Sequence, residues 1–123
     1  NFLDHHLFDK ASTHLQKIIK EKTIKNQKVY IGTPRYRTTA MLNIHLPQQK
    51  IYSMDYRKKD QFQIWYNPKE LIGKNVIYIA GGSQTKQDPE KIFNTDKIIL
   101  LDKQTYEYNP WFKRTFYFYE KQH

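Results

Sequence analysis

The sequence predicts an α/β domain in three layers, with a mainly parallel mixed sheet flanked by helices and finished by an antiparallel C-terminal hairpin. Three observations carry that expectation. A strand-turn-helix-strand series runs through residues 28–54; an apolar, β-branched run from Asn75 to Ala80 lies between Gly73 and the pair Gly81-Gly82; and two strand-like segments flank Asn109-Pro110-Trp111. With 123 residues, 38% of them hydrophobic and 15% aromatic, the chain is expected to form one domain over residues 1–123 with a packed core.

Taken in order, the first element is an amphipathic helix over residues 9–22. Asp9 is placed to cap it, and Ala11, Leu15, Ile18 and Ile19 recur on one face. Lys28-Val29-Tyr30-Ile31 follows as a short strand, and Gly32-Thr33-Pro34 as a turn in which Thr33 caps a second helix and Pro34 supplies its first position. That helix is expected over residues 34–46, stopped by Pro47, and residues 50–54 then form a strand parallel to the first. Residues 55–60 are expected as a charged loop, residues 62–66 as an extended segment and residues 69–72 as one helical turn. The run ending at Ala80 predicts a strand buried on both faces. Asp88-Pro89-Glu90 opens a short helix reaching Phe93, and residues 97–101 read as another buried strand. In the closing hairpin, residues 104–108 pair with residues 114–119, with Phe116 and Phe118 on one face and Tyr117 and Tyr119 on the other.

Charge is distributed unevenly. The formal net charge is +9, and residues 1–61 hold twelve basic against five acidic side chains while the remainder holds nine against seven. Such an excess attracts phosphates, nucleic acid or an anionic membrane surface. No apolar stretch approaches the roughly 20 residues of a membrane-spanning helix. The chain opens on Asn1 without a signal-peptide pattern, and is expected to be a piece of a longer protein. It has no cysteine, which removes disulfide, thiol and zinc-thiolate chemistry.

Two segments are candidates for binding anions. Gly32-Thr33-Pro34-Arg35-Tyr36-Arg37 joins a hydroxyl, two guanidinium groups and free backbone N–H groups at a helix N-terminus after a strand, and Gly81-Gly82-Ser83 at the end of the other clear strand is placed to border the same crevice. The loop carrying Arg57, Lys58 and Lys59, followed by Gln61, Phe62 and Trp65, sets cations beside aromatic rings that stack on flat or sugar-like groups. From these, Gly32, Thr33, Arg35, Arg37, Lys58 and Lys59 are the expected phosphate contacts, and Tyr36, Gln61 and Trp65 the expected acceptor contacts. The dinucleotide and P-loop fingerprints are both missing. His5, His6 and His14 lack a partnering carboxylate at metal-ligand spacing, His45 reads as a partly buried structural residue, and Ser12, Ser53 and Ser83 lie outside any nucleophile elbow. Asp55 and Asp60 flank the basic loop, which suits charge balance better than a general acid and base. No catalytic residue, metal or cofactor is therefore assigned.

The pattern Tyr36-x-x-x-Ala40-x-Leu42-x-x-x-Leu46-Pro47-x-Gln49, then Ile51-Tyr52, Gln61-Phe62-x-x-Trp65 and Leu71-x-Gly73-Lys74-Asn75, resembles a known family over residues 17–120. It is similar to the soluble C-terminal domain of bacterial dolichyl-phosphate-mannose-protein mannosyltransferase-like and aminoarabinose-transferase-like membrane glycosyltransferases. Ile44-His45 stands where that family usually has an aromatic pair. The resemblance implies a periplasmic accessory domain, on the extracytoplasmic face of the bacterial inner membrane, beside a transmembrane portion of the same polypeptide. That portion would move a sugar from a polyprenyl-phosphate donor to a lipid, glycan or protein acceptor. The implied partners are a lipid-linked sugar or anionic lipid acceptor and the membrane surface, with nucleic acid not expected. The alternative is a free-standing basic nucleic-acid or protein-interaction module.

Overall fold

The computed structural model describes residues 2–54, 68–82 and 97–122. Helix α1 (Phe2–Ile24) is followed by strand β1 (Tyr30–Thr33), helix α2 (Tyr36–His45), strand β2 (Ile51–Ser53), a 3₁₀ turn (Pro68–Leu71) and strands β3 (Val76–Gly82), β4 (Ile98–Asn109) and β5 (Phe112–Lys121). The strands form one sheet in the order β2-β1-β3-β5-β4. Both pairings of β1, with β2 and with β3, are parallel, and β5 pairs antiparallel with β3 and with β4. The α/β class, the mixed sheet and the C-terminal antiparallel hairpin are as the sequence predicts.

The register sorts the side chains into two faces, because paired residues point the same way and neighbours along a strand alternate. Ile31, Ile51, Ile77, Ile79, Phe116 and Phe118 share one face and pack under Phe8, Ala11, Leu15 and Ile18 of α1 and Met41 and Leu42 of α2. Phe8 meets Phe116 edge to face at 5.1 Å. Burying each of these rings contributes about 1.5–3 kcal/mol. The opposite face carries Tyr30, Tyr52, Tyr78, Tyr117 and Tyr119, and here Leu71 of the 3₁₀ turn packs on Tyr52 and Val76. Both α-helices thus lie on the first face, and among the described residues the 3₁₀ turn forms the layer on the second. Phe116 and Phe118 are separated from Tyr117 and Tyr119 as alternation requires.

Three expectations are corrected. Helix α1 starts at residue 2 rather than 9, because Leu7 and Phe8 extend the apolar stripe of Ala11 and Leu15 by a further turn toward the N-terminus. Asp9 is an exposed mid-helix residue whose carboxylate faces His45 at 3.5 Å. The α2 cap falls on Arg35, in extended conformation and without a side-chain capping bond, so Thr33 and Pro34 lie before the helix. Residues 97–101 are not a separate buried strand; they begin β4, the outer strand of the sheet, where Ile99 and Leu100 are exposed and an irregularity between Leu100 and Asp102 re-aligns the ladder. The expected helix over residues 88–93 and the extended segment over residues 62–66 fall outside the described residues.

Local chemistry explains the element ends. Asn26 takes a left-handed φ of 60°, its N–H reaches Thr23 O at 2.9 Å, and Gln27 N–H reaches Lys22 O at 2.9 Å, a Schellman closure of α1. The hairpin turns at Pro110-Trp111, where Asn109 Oδ1 accepts the Trp111 N–H at 2.8 Å.

Candidate anion-binding crevice

Strands β1 and β3 are parallel neighbours from which the strand order runs opposite ways, β2 lying beyond β1, and β5 and β4 beyond β3. From β1 the chain crosses to β2 through α2, which packs on the first face, whereas β3 is entered from the 3₁₀ turn on the tyrosine face. Such a reversal is the place where open α/β sheets form a ligand crevice, at the carboxyl ends of the strands. Its walls follow from the register: β1 pairs with β3 only through Tyr78, so Ile79 to Gly82 run on past β1, held by β5. Gly81 is required there, since its φ is 119° and a Cβ would lie 2.1 Å from Thr115 O. Thr33, Pro34 and Arg35 turn away opposite, and the N-terminus of α2 follows.

The Thr33 hydroxyl is buried and spent within this turn. It donates to Arg35 O at 2.8 Å, accepts the Arg35 N–H at 3.3 Å, and lies 2.8 Å from Thr39 Oγ1. Arg37 is drawn back to α1, where its Nη2 donates to Asp4 Oδ2 at 2.8 Å while Arg114 Nε sits 3.3 Å from Asp4 Oδ1. Asp4, with a side chain only 6% exposed, is therefore a buried carboxylate joining α1, α2 and β5. Arg35 differs from both. It is half-buried, and its Nε is enclosed without a hydrogen-bond partner among the described residues. Tyr36 is half-buried at the first position of α2. Gly32 faces the tyrosine side, with ordinary room for a Cβ 3.6 Å from Val76 Cγ1. Lys58, Lys59, Gln61 and Trp65 lie outside the described residues; the chain leaves β2 towards them at the same end as the crevice.

The opposite end of the sheet is also polar. Tyr52 donates its hydroxyl to Glu70 Oε2, and Lys50 Nζ stands 3.6 Å from the same oxygen. Burial first, and the Glu70 carboxylate second, push the Tyr52 phenol above its ordinary range, and its hydrogen bond to Tyr52 raises Lys50. Lys121 is buried and donates to Lys74 O at 2.9 Å and Leu71 O at 3.3 Å, with its ammonium pushed below the usual lysine range by loss of water.

The histidines disperse. His5 stacks edgewise on His45, His6 on Tyr108 and His14 on Phe118, and His14 Nε2 lies 2.8 Å from Asp102 Oδ2. Among the described residues no three metal-ligating side chains converge. Nor is any described helix long and apolar enough to cross a membrane. Asp4, Asp102 and Lys121 were not singled out by the sequence: Asp4 and Lys121 acquire their roles from partners distant along the chain, and Asp102 joins its neighbours Lys103 and Gln104 to the distant His14.

Comparison with protein families, curated proteins and solved structures finds no match for this chain.

Proposed function

We propose that this chain is a ligand-binding accessory domain of a membrane glycosyltransferase, working at the extracytoplasmic face of a bacterial inner membrane, and that its crevice takes a phosphate-bearing ligand of the transfer reaction. The observation that carries the reading is Arg35. It stands where the strand order reverses, beside the N-terminus of α2, with an enclosed Nε that has no described partner. Arg37 plays a supporting part, its charge countered by Asp4. The setting comes from the resemblance, whose apolar positions Leu42, Leu46 and Ile51 are buried in the core.

In this role the domain supplies binding and orientation, and the sugar transfer belongs to the membrane-embedded part of the enzyme. The test is titration of the chain with a short-chain polyprenyl phosphate and the matching uncharged polyprenol in detergent. The phosphate is expected to bind and the alcohol to bind far more weakly. Arg35→Gln should weaken phosphate binding about tenfold, the worth of one charge-assisted hydrogen bond. Equal affinity for the two compounds, or an Arg35→Gln variant that binds like the parent, would remove the proposal.

A further inference from the structure

We infer that the end of the sheet opposite the crevice is a docking face for an anionic lipid bilayer. Lys28, Lys50, Lys74 and Lys97 each stand one or two residues before the first residue of a strand, β1, β2, β3 and β4 respectively. In sequence they are scattered. The fold gathers them, because β1, β2 and β3 are parallel and β4 begins opposite Lys121 at the same end as β3 begins. Helix α1 also ends there, and adds Lys25. All five are exposed.

The arrangement is held in place by aromatic rings. Lys28 and Lys74 sit over the ring of Tyr30 at 5.4 and 5.8 Å, Lys50 sits over Tyr52 at 5.1 Å, and the two rings are 6.4 Å apart. Among the described residues the acidic groups at this end are fewer. Glu70 pairs with Lys50, Glu120 is buried against Lys22 at 2.9 Å, and Glu21 lies on the last turns of α1.

Two large apolar side chains share this end. Ile24, the last residue of α1, is 76% exposed, and Ile72, just before Lys74, is 74% exposed. Isoleucine gains nothing from a phosphate backbone, whereas at the boundary between headgroups and acyl chains it buries apolar surface while the lysines meet anionic headgroups. Like charge spread over one end, with apolar tips among it, suits an anionic bilayer better than a nucleic acid. Docked this way, the chain holds its crevice on the side away from the bilayer, so the phosphate it takes is one presented from the aqueous side on an acceptor rather than one seated in the docked membrane. The inference stands independently of phosphate binding there.

The test is flotation of the chain with phosphatidylcholine vesicles containing about 30% phosphatidylglycerol, and with pure phosphatidylcholine, at about 0.1 M salt. Binding to the anionic vesicles only is expected. The triple variant Lys28→Gln/Lys74→Gln/Lys97→Gln should bind them roughly a hundredfold more weakly, about fivefold per lysine near the surface, while keeping its affinity for phosphate at the crevice. Lys10→Gln/Lys103→Gln/Lys113→Gln, with the same loss of net charge elsewhere, should stay within about threefold of the parent. Ile24→Ser/Ile72→Ser should lose about tenfold. An unaffected first triple variant, an equal loss in the second, or a preference for single-stranded oligonucleotide over vesicles that the first triple abolishes, would each overturn the inference.

Discussion

Replacing Asp4 by Asn removes one charge from a site where two arginines converge, and nothing else of comparable size. The carboxylate is buried and meets Arg37 at 2.8 Å and Arg114 at 3.3 Å. A hydrogen bond to a charged group nets about 1.5–3 kcal/mol, and breaking a fully buried pair costs about 3–5 kcal/mol. Here the arginine side chains are 40% and 24% exposed, so they regain water when the charge is lost and the lower end applies. Asp4→Asn should therefore destabilise the chain by about 2 kcal/mol, equivalent to a fall of roughly 8 °C in Tm for a domain of this size. Urea unfolding followed by circular dichroism at neutral pH measures it. Adding Arg114→Gln to Asp4→Asn should cost little more, because the contact is already broken, whereas the two changes made separately should not sum. A change under about 0.5 kcal/mol for Asp4→Asn, or strict additivity, would refute the assignment of this carboxylate as the lock between the first turn of α1 and the strands.

Two further changes test the frame. Gly81→Ala forces a Cβ to within 2.1 Å of Thr115 O at a φ of 119°, and should cost more than about 3 kcal/mol in chemical denaturation, whereas Gly32→Ala, where a Cβ finds ordinary contact, should change stability by less than about 1 kcal/mol. Asp102 is held below its ordinary pKa of 3.8 first by the Gln104 amide and then by the Lys103 N–H and His14. Its depressed folded value means that its contribution is present above the unfolded pKa and disappears as pH falls through the folded one. Parent and Asp102→Asn should differ in urea midpoint at neutral pH and converge in strong acid; a gap that persists unchanged there contradicts the pairing.

What the sequence made legible was what local chemistry decides. The run from Val76 to Ala80 could only be buried, and Asn109-Pro110-Trp111 between two strand-like segments read directly as a hairpin. Pro47 marked the end of α2 correctly, with Leu46 N–H closing on Leu42 O. The misreadings come from local signals outvoted by packing. Asp9 has the chemistry of a cap, yet Leu7 and Phe8 carry the core stripe past it. Ile98 to Leu101 has the composition of a buried strand, yet its place beyond β5 leaves Ile99 and Leu100 half in water. Of the candidate site, the turn at residues 32–37 and its position beside the end of β3 followed from the pattern, but Asp4 lies 33 residues from Arg37, and no spacing rule links them. The lysine-rimmed end is likewise invisible until strand direction places its members in one row.

The place of β5 has a consequence for how the chain acquires its structure during synthesis. The last of the five strands of this sheet to leave the ribosome is an interior one: it lies between β3 and β4 and brings Phe116 and Phe118 into the core. A nascent chain whose emerged part stops short of residue 112 has the β2-β1-β3 half available but leaves both β3 and β4 with an unsatisfied ladder edge. Final closure of the sheet therefore waits for β5 to emerge, and the waiting intermediate is the form most exposed to association with other chains.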